Sequence, residues 1–85
     1  MPTEEDVREK VRGFVVENFI FDEEQVLNDD DSFQENEVVD SAGVLTLIMF
    51  IEEEFEVTVG EDDVTPANMD SISGMARFIM AKLAE

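Results

Sequence analysis

Four stretches of the chain show helical period, with a long segment between the first two where the period fails. In the first stretch Val7, Val11, Phe14, Val15 and Phe19 form a one-sided stripe, predicting a helix that begins near Thr3. Thr3 with Asp6 three residues on is a weak capping box. The run Glu4-Glu5-Asp6 places negative charge where the helix dipole favours it. From Phe21 to Asp40 the period is lost. Asn28-Asp29-Asp30-Asp31-Ser32 is turn-rich, and Val26, Leu27, Phe33, Val38 and Val39 are expected to anchor this loop to a core. A structureless connection of that length is uncommon in a compact domain unless it is functional.

A second helix is predicted from about Ser41 to Phe55. At helical spacing Val44, Ile48, Ile51 and Phe55 fall within about 60° and make its core face. After Val57–Gly60, the run Glu61-Asp62-Asp63-Val64 is expected to start a short helix, with Pro66 limiting its order. The last helix follows Asp70-Ser71, either of which can N-cap it, and its core positions are Ile72, Met75, Ala76, Ile79 and Leu83. No internal repeat or second domain is visible. The expected fold is all-α: one domain over residues 1–85, a small four-helix bundle with a long loop between helices 1 and 2.

The other side of the second helix carries a different pattern. Ala42, Leu45, Met49, Glu52, Glu53 and Glu56 share one face, an apolar strip ending in carboxylates and directed away from the core face. Ser41 stands at its N-terminal end. A surface of that kind suits recognition by a basic partner. The plainer alternatives are core packing for Leu45 and Met49, and a solvated face for the three glutamates, where a single surface charge contributes only ~0–1 kcal/mol.

Charge and composition narrow the functions available. Five Lys+Arg stand against 23 Asp+Glu, a net charge of −18, and no positive side chain lies between Gly13 and Ala76. Such a field repels nucleic acid and anionic membranes and attracts basic protein surfaces. With 44% hydrophobic residues in regular patterns, a folded core is expected rather than an acidic disordered tail. The chain contains no Cys, His, Trp or Tyr, so the usual nucleophiles and general bases are missing and an enzyme is not expected. An 85-residue domain also leaves little room for a deep active-site cavity. No apolar run approaches a membrane span, and the acidic N-terminus lacks the regions of a signal peptide. A cytoplasmic monomer is expected. The stretch beginning at Asn28 resembles a calcium loop, but its sixth and twelfth places hold Phe33 and Val39 rather than Gly and Glu. No specific metal site is expected, and loose divalent binding to the acidic clusters stays open. The seven phenylalanines, Phe14, Phe19, Phe21, Phe33, Phe50, Phe55 and Phe78, are expected in or at the edge of the core.

Three segments together, Asp31-Ser32-Phe33-x-Glu35, Asp40-Ser41-x-Gly43 and Leu47-Ile48-x-x-Ile51-Glu52-Glu53-Glu54-Phe55, resemble the acyl, peptidyl and D-alanyl carrier proteins. The likeness extends over nearly the whole chain in length, helix order and core spacing. It implies that Ser41 accepts 4′-phosphopantetheine from coenzyme A through a phosphopantetheinyl transferase, and that cargo travels as a thioester on that arm. It also implies a role for Asp40 in presenting the serine. The plain alternatives are an N-cap serine and a capping carboxylate. A phosphodiester on Ser41 would sit at a helix N-terminus, which favours phosphate.

Fatty-acid-type carriers usually read Asp-Leu-Gly-x-Asp-Ser-Leu, whereas this chain has Asn36-Glu37-Val38-Val39-Asp40-Ser41-Ala42-Gly43. Two aliphatics before Asp-Ser and a glycine two places after the serine look more like D-alanyl and other aminoacyl carriers. The resemblance therefore implies an amino-acid or small acyl cargo, loaded by an adenylating ligase or acyltransferase with a basic docking surface. Gly43 either lets a partner approach closely or reflects tight packing. The alternative function is an acidic helical interaction module that keeps the fold and carries no prosthetic group.

Overall fold

The computed structural model describes residues 2–20 and 26–85, apart from the side chain of Ser41. Among these residues it contains four α-helices and one 3₁₀ turn: α1 (Glu4–Phe19), α2 (Ser41–Phe55), the turn Glu61–Asp63, α3 (Pro66–Met69) and α4 (Ile72–Leu83). The all-α bundle expected from the sequence is the observed architecture.

α1 begins with the full capping box. Thr3 Oγ1 accepts from Asp6 N–H at 3.2 Å, and Asp6 accepts from Thr3 N–H at 3.3 Å. Its inner stripe is all valine: Val7, Val11 and Val15 are completely buried. β-Branched residues are mediocre helix formers, so α1 owes its stability to burial, about 1.5–3 kcal/mol per side chain. Lys10 meets Glu54 at 2.7 Å and the Phe14 ring stacks on Phe50 at 4.1 Å. Position rises along α1 as it falls along α2, so the two helices run antiparallel.

α4 is the hub, packed against α1, α2 and α3. Ser71, not Asp70, is its N-cap, accepting from Gly74 N–H at 2.9 Å. Ile72, Met75, Ala76 and Ile79 are fully buried as expected, and Leu83 is half-buried at the C-terminal end. Gly74 permits the tight α3–α4 corner, since a Cβ there would lie 2.3 Å from the Ala67 carbonyl oxygen.

Three details correct the expectations. The buried line of α2 is Leu47, Ile51 and Phe55, while Val44 and Ile48 are only partly buried. The core face is thus rotated by about 30° toward Leu47, because α2 must also cover α1 through Phe50. Pro66 does not merely limit a helix. It occupies the first turn of α3 behind the N-cap Thr65, where its fixed φ is favourable and its missing N–H costs nothing. Val26 is 78% exposed, so of the five expected loop anchors only Leu27, Phe33, Val38 and Val39 are buried. The phenylalanines lie in the core or at its edge, with Phe21 outside the described residues. No helix among the described residues is long and apolar enough to cross a membrane.

Candidate functional site at the N-terminus of α2

The long loop is fastened to the bundle at two places before it reaches α2. At the first, Arg8 Nη1 donates to Asp29 Oδ2 and to Ser73 Oγ, both at 2.9 Å, and Arg12 pairs with the other oxygen of Asp29. Arg12 also donates to the Leu27 carbonyl at 2.6 Å, and Asp29 O accepts from Ser73 N–H at 2.8 Å. The hydrogen bonds from Arg12 and then Arg8 hold the Asp29 carboxyl below the ordinary carboxylate range, and Asp29 in turn raises the Arg8 guanidinium. Asp29 is therefore committed to arginines. Asp31 accepts from Asn28 N–H at 2.9 Å. Among the described residues no three acidic side chains are arranged to hold a metal ion.

At the second place, residues 32–38 form a closed turn. Val38 N–H donates to Phe33 O at 2.8 Å and Asn36 N–H to Ser32 O at 3.1 Å, and Glu37 completes the turn at φ 54°. Asp70 receives it: Ser32 Oγ donates to Asp70 Oδ2, Gln34 N–H to Oδ1 at 3.0 Å, and Phe33 N–H to the Asp70 carbonyl at 2.7 Å. Only Val39 then separates the turn from Asp40.

Asp40 is the N-cap of α2, and its Oδ1 accepts from Gly43 N–H at 2.8 Å. Ser41 is thus the first helical residue rather than the cap, so the capping alternative weighed for it falls to Asp40. The Ser41 side chain lies outside the described residues. Gly43 is buried, and a Cβ on it would stand 2.7 Å from Val39 Cγ1 and 3.0 Å from Phe19 Cε1. The glycine answers to tight packing under the helix, not to an open approach for a partner.

A cleft of about 360 Å³ opens at this end of α2. Phe33, Val39, Val44, Val64, Pro66 and Met69 give it apolar walls, and Gln34, Asp40, Thr65 and Asp70 give it a polar rim. None of the residues from 64 to 70 stands out in the sequence as site-forming. The one available signal is the tandem Asp70-Ser71: one residue caps α4, and the other is left to do something else.

The outer face of α2 is largely as expected. Leu45 and Met49 are 64% and 63% exposed, and Ala42, Glu53 and Glu56 are also exposed. Core packing is therefore not the role of Leu45 or Met49. Glu52 departs from the group. It is half-buried, and Oε2 accepts from Val59 N–H at 3.1 Å, bracing the chain as it returns from α2. Glu56 is the C-cap in the left-handed conformation at φ 55°, a position where glycine is usual. Among the described residues, Arg8 and Arg12 pair with Asp29, Lys10 with Glu54, and Lys82 with Asp63 and Glu85. Positive charge is thus spent inside the fold, and the exposed α2 face presents carboxylates beside apolar side chains.

No protein-family model matches this chain, and no curated protein is significantly similar to it.

Proposed function

We propose that the protein is a carrier that holds an acyl or aminoacyl group as a thioester on 4′-phosphopantetheine attached to Ser41. The observation that carries the reading is the position of Ser41. It is the first residue of α2, the N-cap that was its plain alternative is Asp40, and it follows directly on Asp40 of the cleft rim at the head of the helix that carries the exposed Leu45 and Met49. In the attachment step the Ser41 hydroxyl forms a bond to the phosphorus that bears pantetheine, the diphosphate bond of coenzyme A breaks, and 3′,5′-ADP leaves. The transferase takes the serine proton. A phosphodiester fits the first turn of a helix, where backbone N–H groups and the dipole favour an anion. The arm supplies the thiol that a chain without cysteine lacks, and partner enzymes supply the catalysis.

Leu45 and Met49, with Glu53 and Glu56 beyond them, form the docking strip for the transferase and for a basic-faced adenylating ligase or acyltransferase. Cargo of the aminoacyl or small acyl class follows from the motif's likeness to aminoacyl carriers. It is checked by loading holo protein with labelled amino acids by candidate ligases. Loading only by fatty-acid-synthesis enzymes would contradict it.

Attachment is tested by intact-mass measurement after incubation with coenzyme A, magnesium and a broad-specificity transferase, with Ser41→Ala alongside. One phosphopantetheine gained by the parent and none by the variant is expected. No gain by folded parent protein, while a control carrier is modified, would overturn the proposal in favour of an acidic interaction module docking through the same α2 strip.

A further inference from the structure

Apart from Val44 of α2, the walls of the cleft belong to two different parts of the chain. One wall is the 32–38 turn with Val39 and Asp40; the other is α3 and the residues leading into it. Asp70, at the junction of α3 and α4, is the residue that joins them. Its two carboxylate oxygens accept from Ser32 Oγ and Gln34 N–H, and its carbonyl accepts from Phe33 N–H. The turn is closed on itself by bonds from residues 35, 36, 37 and 38 back to residues 32–34, so it moves as one piece. Its other tethers are the chain at its two ends: Asp30 and Asp31 lead back to the clasped Asp29, and Val39 leads to the N-cap Asp40. Phe33 adds an apolar hold, being 2% exposed while also lining the cleft.

From this arrangement we infer that Asp70 is a latch: its carboxylate holds the 32–38 turn against the α3–α4 junction, and its release widens the cleft at the head of α2. Three consecutive residues of the turn hang on this one side chain and its carbonyl, and no residue of the turn is paired with α3 itself. Losing the carboxylate frees Ser32 and Gln34 together. The turn then swings out between its two chain tethers, and the apolar walls Phe33, Val39, Val44 and Met69 become accessible. Asp70 is a positioning residue. Its bearing on an arm and cargo rests on the carrier reading, whereas the latch itself is a property of the unmodified chain.

The test uses the unmodified full chain with Asp70→Ala, and Asp70→Asn as the conservative rescue that keeps an acceptor oxygen. Amide exchange at Phe33 and Gln34 is expected to accelerate about tenfold in Asp70→Ala. Helix amides at Val11, Ile51 and Ile79 should stay within about twofold of the parent, and Asp70→Asn should lie near the parent. Binding of the neutral fluorophore N-phenyl-1-naphthylamine should rise in Asp70→Ala and fall back when Val44→Trp fills the cleft. Equal acceleration at all amides, or unchanged fluorophore binding, would overturn the latch. If Asp70→Ala does not fold, Asp70→Ser, which likewise removes both carboxylate oxygens and leaves the bonds within the turn intact, carries the same criteria. Because no transferase or coenzyme A enters these measurements, their failure is separate from a failure of Ser41 modification.

Discussion

Asp29→Asn keeps the size of the side chain while removing its charge and its titration, so it isolates the clasp that ties the long loop to α1 and α4. Each charged hydrogen bond from an arginine contributes about 1.5–3 kcal/mol when shielded, but only about 0–1 kcal/mol when exposed. The Asp29 side chain is 34% exposed, and the asparagine oxygen retains one acceptor, so the loss works out at about 1.5 kcal/mol. For a domain of this size that lowers Tm by about 6–12 °C. The pH dependence has a definite sign. The arginines hold Asp29 below its unfolded value of about 3.9. Its contribution is therefore complete above about pH 5 and is lost as pH falls through 3.9 toward the folded value. Relief of repulsion among the other carboxylates acts on parent and variant alike and cancels in the difference. The chain has no Trp or Tyr, so urea titrations would follow helix circular dichroism. The gap between parent and variant should be constant from pH 8 to 5 and close below about pH 4. A gap under about 0.5 kcal/mol at pH 7, or one that persists unchanged into acid, would refute the clasp as drawn.

Gly43→Ala should destabilise by about 1–2 kcal/mol: overpacking against Val39 and Phe19 costs about 1–3 kcal/mol, and better helix propensity returns up to about 1. A higher urea midpoint in the variant would contradict packing as the reason for the glycine. With a net charge of −18, added salt or magnesium should raise Tm by screening repulsion over a Debye length of ~8–10 Å; a melting curve indifferent to both would count against this.

Much of the molecule is written in local pattern. The valine stripe and the Thr3–Asp6 box locate α1, the Asp40-Ser41 boundary locates the start of α2, and the Ile72–Ile79 spacing locates α4. Each depends only on residues within a turn or two of one another. The rotation of α2 toward Leu47 was not legible, because an angular stripe does not say which neighbouring helices lie under it. The place of Pro66 is not legible for a similar reason: proline starts a helix or stops one, and the choice depends on whether Thr65 is free to cap.

The candidate site divides along the same line. The exposed strip of Leu45 and Met49 and the place of Ser41 at its head follow from helical period, since period alone sets which residues share a face. The role of Gly43, the inward turn of Glu52 and the cleft do not. Each depends on residues distant in sequence that the fold brings together: Phe19 beneath Gly43, and Asp70 across from Ser32 and Gln34. The chain by itself determined where helices form and which side of α2 faces out, because those are short-range steric and hydrophobic constraints. Which carboxylates cap, clasp or latch, and how wide the cleft stands, was decided only by tertiary packing, because a hydrogen bond between positions 38 residues apart leaves no local trace.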